Sequence, residues 1–107
     1  MALYLKNKKK IETIFEKGFT IKADGLLFKG YDFKDDEIKY GVSVSKKLFP
    51  LAVDRNLIKR RVKEQAKRVK LAEFIAKGIS FFLIYTSKQI LNSNEIKRRI
   101  EVLSQKL

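Results

Sequence analysis

Apolar and polar positions change their period several times along the chain, and each change marks an element. In "NKKKIETIFEKG", Ile11, Ile14 and Phe15 recur at helical spacing, Asn7 can cap the start, and Gly18 suits the C′ position. An apolar stretch at Phe19–Ile21 meets Asp24–Gly25, a turn signal, and Leu26–Phe33 then resumes with aliphatic and aromatic residues, so two strands are expected. "IKYGVSVS" alternates: Ile38, Tyr40, Val42 and Val44 point one way, and Lys39, Gly41, Ser43 and Ser45 the other. That is a half-buried strand with a small, polar second face. Pro50 stands near the start of a long basic helix, where its missing N–H costs nothing. Gly78 introduces "ISFFLIY", Ile79–Tyr85, a continuous apolar run typical of a central strand covered on both sides. After Ser93, the expected N-cap, Ile96, Ile100 and Leu103 fall at i, i+4 and i+7 of a closing helix. The expected order is αβββαβα in one domain spanning residues 1–107, without repeat or linker.

Charge changes this picture from an ordinary small α/β domain to one with a polyanionic partner. The 107 residues carry a formal net charge of +13, an excess that points to nucleic acid or an anionic surface and says nothing about fold. The hydrophobic fraction of 45% is that of a globular protein. No apolar run approaches the roughly 18 residues that span a bilayer, and the opening "MALYLKNKKK" is too charged for a secretory signal. A soluble, cytoplasmic protein with no membrane partner is expected.

Between Lys46 and Lys70 there are ten basic and two acidic residues, so +8 of the +13 lies in under a quarter of the chain. On a helical wheel at about 100° per residue, with Val53 at zero, Leu51, Ile58, Val62, Ala66 and Val69 cluster as the stripe that packs on the sheet. Asn56, Lys59, Arg60, Lys63, Lys67 and Lys70 form a second stripe with no carboxylate among them. On the third face, Arg61 and Arg68 lie beside Asp54 and Glu64, and Glu64 reaches both at helical spacing, so these two arginines read as ion-pair partners. Arg55 sits at the edge of the packing stripe, its stem coverable and its guanidinium free to emerge. A run of like charge is most often a solvated face. Here the segregation of carboxylates off the stripe, together with Lys46 and Lys47 beside the helix start, favours a polyanion site. The charged face is mostly Lys, which positions phosphates but reads little sequence, and the flanking strands do not suit a helix-turn-helix. RNA, recognised by shape and backbone, fits better than duplex DNA.

Candidate catalytic chemistry is sparse. With no His and no Cys, neither a Ser–His nor a Cys–His nucleophile can be built, and thiolate or imidazole metal sites are excluded. The densest acidic group, Asp32, Asp35, Asp36 and Glu37, reads as a solvated hairpin loop rather than a divalent-metal cage. No catalytic residue and no metal ligand is expected on this chain.

"YGVSVSKK" followed by "AVDRNLIKRRVKE" resembles the protein subunit of bacterial ribonuclease P. That family has a strand ending in a Ser-x-Ser-Lys-Lys-like stretch, then Ala-Val-x-Arg-Asn-Arg-x-Lys-Arg at the start of a long helix. Ala52, Val53, Arg55, Asn56, Lys59 and Arg60 match it directly, and Leu57 stands where the family usually has Arg. "LKNKKKIETIFEKG" looks like the family's opening helix, with Ile11 where an aromatic is common. The resemblance implies an α+β two-layer sandwich with a mixed four-stranded sheet, and a left-handed βαβ crossover joining the Tyr40–Ser45 and Ile79–Tyr85 strands, against the usual hand.

The resemblance also implies a division of labour. A catalytic RNA holds Mg²⁺ and cleaves precursor tRNA at the 5′ end of the mature sequence, while the protein binds that RNA and the single-stranded leader. Carried over residue by residue, Lys46, Lys47, Arg55, Asn56, Lys59, Arg60, Lys63 and Lys67 would dock on the catalytic RNA. Phe15, Ile11 and Phe28 would meet the leader in a shallow cleft between the first helix and the sheet, the bland reading for Phe15 and Phe28 being core packing. No obligate protein partner is implied. The alternative is a non-enzymatic module that binds structured RNA, ribosome-associated for example.

Overall fold

The computed structural model describes residues 2–5 and 7–107, and Ala2–Tyr4 by backbone alone. The elements are β1 (Ala2–Tyr4), α1 (Lys8–Lys17), β2 (Phe19–Ala23), β3 (Leu26–Asp32), β4 (Ile38–Val44), α2 (Ala52–Val69), a 3-10 turn at Leu71–Phe74, β5 (Ile79–Tyr85) and α3 (Ser93–Lys106). The four expected strands and three helices are present in the expected order. A short N-terminal strand adds a fifth, giving the sheet order β1-β4-β5-β3-β2. β1, β4 and β5 run parallel to one another, while β3 pairs antiparallel with both β5 and β2. Parallel β4 and β5 are adjacent and joined through α2, the connection to which the family likeness attaches its crossover.

Residue parity explains how one sheet serves two layers. Side chains of a strand alternate between faces, and register puts Phe28 opposite Leu83 and Tyr40 opposite Phe81. These residues face α2 and α3, where Ile58, Val62, Ala66, Ile96, Ile100 and Leu103 complete the main core. The opposite parity puts Phe82 and Ile84 on the α1 side, in a smaller cluster with Leu5, Ile14, Ile11, Tyr31 and Phe33.

Several local expectations change. Leu51 is 65% exposed rather than packed, because α2 begins at Ala52 and Leu51 is its extended N-cap, off the helical wheel. Gly18 closes α1 in an extended conformation rather than the left-handed one. It is glycine for space: a Cβ there would lie 2.3 Å from the Ile14 carbonyl oxygen and 2.8 Å from that of Gly30. Asn92, not Ser93, caps α3, with its side chain accepting from the Glu95 N–H while Glu95 accepts in return from the Asn92 N–H.

The acidic segment after β3 is not a hairpin loop. β3 and β4 are separated by β5, so the segment arches over the start of β5 and is pinned there by Phe33 N–H to the Gly78 carbonyl (2.8 Å) and Gly78 N–H to that of Glu37 (3.0 Å). Asp35 pairs with Lys10 at 2.7 Å and Glu37 with Lys39 at 2.9 Å, while Asp32 accepts from the Lys34 N–H at 2.8 Å. The Lys10 hydrogen bond first, then the Glu37 N–H, hold the Asp35 carboxyl below its ordinary range.

Candidate nucleic-acid interface

The basic surface is organised at the point where β4 hands over to α2. Ser45 Oγ accepts from the N–H groups of Lys47 (3.1 Å) and Leu48 (3.4 Å), folding the chain into a turn that leaves Lys46 and Lys47 exposed. Arg55 Nη1 donates to the carbonyls of Phe49 and Pro50, both at 2.8 Å. Its guanidinium therefore braces the loop to the first turn of α2 and fixes a positive charge at the root of the helix.

From there the helix presents its cations as a ridge. Asn56, Lys59, Arg60, Lys63 and Lys67 line one open groove along α2, while Ile58, Val62 and Ala66 are buried against the sheet on the opposite side. Glu64 lines the same groove, so the stripe is bordered by one acid rather than free of them. Its carboxylate lies 3.6 Å from Arg68 Nη2, drawn toward the third face as the i, i+4 spacing predicts. Among the described residues no carboxylate comes within ion-pair distance of Lys59, Arg60 or Lys67. Arg61 differs from expectation: it donates to the Leu91 carbonyl at 2.9 Å, tying α2 to the loop before α3, and is a structural strut rather than a partner of Glu64. Leu57 is half-buried beside exposed Val53, in a shallow hollow with Asn56 and Arg60.

On the other side of the sheet, α1 covers only part of the strands. Phe15 is 41% exposed, with its ring 5.3 Å from that of Phe82 and Lys29 Nζ 6.0 Å from its centroid. Gly41 lies under Phe82; a Cβ there would come within 2.5 Å of the ring. Ile11 is half-buried in the same small cluster. Phe28 is not on this face of the sheet. It is fully buried on the α2/α3 side, stacked on Phe81 at 4.6 Å, because its parity on β3 is opposite to that of Lys29. On the α1 face of the sheet stand instead the half-buried Lys29 and the buried Phe82 (9% exposed), neither of which sequence reasoning singled out. The signal was present: a lysine amid the apolar residues of β3 marks the strand's wetter parity, and Phe28 lies on the other.

Together these features define a small α+β protein with a cationic helix ridge on one side of the sheet and a partly exposed aromatic, Phe15, on the other, an arrangement suited to binding polyanions by their backbone. The family model for Ribonuclease P matches residues 2–107, and the chain belongs to that family. Among solved structures, it is similar to the RNase P protein of Staphylococcus aureus, with 26% identity over 98% of this chain and 94% of that one, and a TM-score of 0.80. It shares the fold of the Thermotoga maritima RNase P protein, with 21% identity over 95% and 96% of the two chains and a TM-score of 0.78. A search of curated protein sequences finds no significant match. Among the described residues no helix is long and apolar enough to cross a membrane.

Proposed function

We propose that this chain is the protein component of a bacterial, cytoplasmic ribonuclease P ribonucleoprotein, removing the 5′ leader of precursor tRNA together with a catalytic RNA. The observation that carries the reading is the coincidence of family membership with an outward cationic ridge, Asn56 to Lys67, set on a helix whose opposite face is fully buried. The ridge and the Lys46–Lys47 turn neutralise phosphates of the catalytic RNA, and Arg55 holds the turn and helix start in fixed relation before the RNA arrives. Single-stranded leader lies in the cleft between α1 and the sheet, with bases on Phe15 and phosphate near Lys29.

The reading gives the protein no metal of its own. Asp32, Asp35 and Glu37 are engaged by Lys10, Lys39 and backbone N–H groups, and the described residues bring no three metal-ligating side chains together. By the family likeness, Mg²⁺ would be held by the RNA, where it would supply activation of the attacking water; the protein's part is to bind and orient. The test is reconstitution with a bacterial ribonuclease P RNA and an assay of leader removal at low Mg²⁺. Stimulated cleavage is expected. Binding of structured RNA without any gain in cleavage would instead identify a non-enzymatic RNA-binding module.

A further inference from the structure

The cationic ridge continues past the end of α2 into a groove that the family motif does not touch. This groove lies between the last turn of the helix, the 3-10 turn and the sheet, with a volume of about 400 Å³, within the ~300–1,000 Å³ range of small-ligand sites. Its inner wall is apolar: Ala66 and Leu71 line it, and behind them Tyr40 and Phe81, 9% and 2% exposed, stack their rings 5.3 Å apart at 14° as part of the core. Its rim is cationic. Lys67 belongs both to this groove and to the ridge, and Lys70 stands on the same side.

Lys70 is fixed by the backbone. It caps α2 with φ 57° and ψ 46°, its N–H bonded to the carbonyls of Ala66 and Lys67. Glycine is the residue that takes this left-handed position without steric cost. The lysine held there, at nearly the same positive φ as Lys34 in the arch, places a cation at the groove mouth. Glu73 also lines the groove. A carboxylate there repels a phosphate from the interior but accepts hydrogen bonds from the N–H edge of a base.

From this combination we infer that the groove binds one unstacked nucleotide of single-stranded RNA. The base enters the apolar slot toward Glu73, and its flanking phosphates rest on Lys67 and Lys70. The inference deepens the RNA-binding reading and rests on it, extending the contact surface from phosphate backbone to an individual base.

The test uses the full chain, isotope-labelled for NMR, titrated with a short single-stranded RNA of mixed sequence and with an abasic oligomer of equal length and charge. Base-bearing RNA is expected to shift the ring resonances of Phe81 and Tyr40 and the amides of residues 70–73, and the abasic oligomer to leave them in place. Ala72→Phe, which fills the groove from a half-exposed position, should abolish these shifts and weaken binding about fivefold, the scale of one lost hydrogen bond to the base. Responses at Phe15 and Phe82 should persist in that variant. Lys70→Gly keeps the left-handed backbone while removing the charge, and should lower the salt slope of binding by roughly 0.7. Equal binding of the abasic oligomer, shifts confined to the α1 cleft, or displacement of the groove signals only by an acidic peptide would each overturn the assignment. A silent groove on a protein that still stimulates leader cleavage would sink this inference alone; loss of stimulation would sink the functional reading beneath it.

Discussion

The two faces of the sheet are made from alternate residues of the same strands, yet they are finished differently. Toward α2 and α3, β3 and β5 contribute Leu26, Phe28, Phe81, Leu83 and Tyr85, all buried beneath two long helices. Toward α1 the same strands contribute Lys29, Tyr31, Phe82 and Ile84 beneath one ten-residue helix, and Phe15 remains largely uncovered. A closed face supplies the folding free energy, which scales with apolar area removed from water. That allows the other face to keep aromatic surface exposed, where it is available to a ligand. The comparison therefore separates residues whose loss is felt as unfolding from residues whose loss is felt as weaker binding.

The largest contrast is expected between two phenylalanines. Phe28→Ala should cost about 3–5 kcal/mol of stability, read from urea unfolding, whereas Phe15→Ala should cost under about 1 kcal/mol and weaken single-stranded RNA binding. Similar stability losses for both would erase the distinction between the faces. Gly41→Ala tests the floor of the open side: with the new Cβ within 2.5 Å of the Phe82 ring, overpacking should cost roughly 1–3 kcal/mol, together with a displaced Phe82 resonance.

A smaller effect divides the arginines of α2. Arg60→Ala or Lys59→Ala should each lower the salt slope of RNA binding by roughly 0.7 to 1 with little change in stability. Arg61→Ala should do the reverse, losing about 1 kcal/mol with its hydrogen bond to Leu91 and leaving the slope alone. Smallest is the acid limb. Because Lys10 holds the Asp35 carboxyl below its unfolded value, that pair stabilises the fold at neutral pH and is lost as pH falls through the folded value, below about pH 4. Asp35→Asn should lower Tm slightly near pH 7, with the difference vanishing in strong acid.

Much of this organisation could be read before any coordinates, because it depends on local periodicity. The burial of Ile58, Val62 and Ala66, the capping by Asn7 and the outward ridge all follow from 3.6-residue spacing. What escaped depends on partners distant in sequence. β1 is three residues long and exists through pairing with β4; Phe28 and Phe82 exchange roles through the register of β3 with β5; and the bond from Arg61 spans 30 positions. Glu64 was a matter of degree, since it stands at the border between stripe and third face and a wheel has no sharp edges.

The arch over the start of β5 also dictates an order of events during synthesis. β3 and β4 leave the ribosome early but share no hydrogen bonds with each other; the strand that must slot between them emerges after α2. Until then the hairpin of β2 and β3 can close by itself, while the partner edge of β4 stands open, a state prone to mispairing. Nascent chains halted before Ile79 should therefore remain protease-sensitive despite holding the entire phosphate-binding helix, and resistance should appear only once both the final strand and α3, which closes the core, have been added.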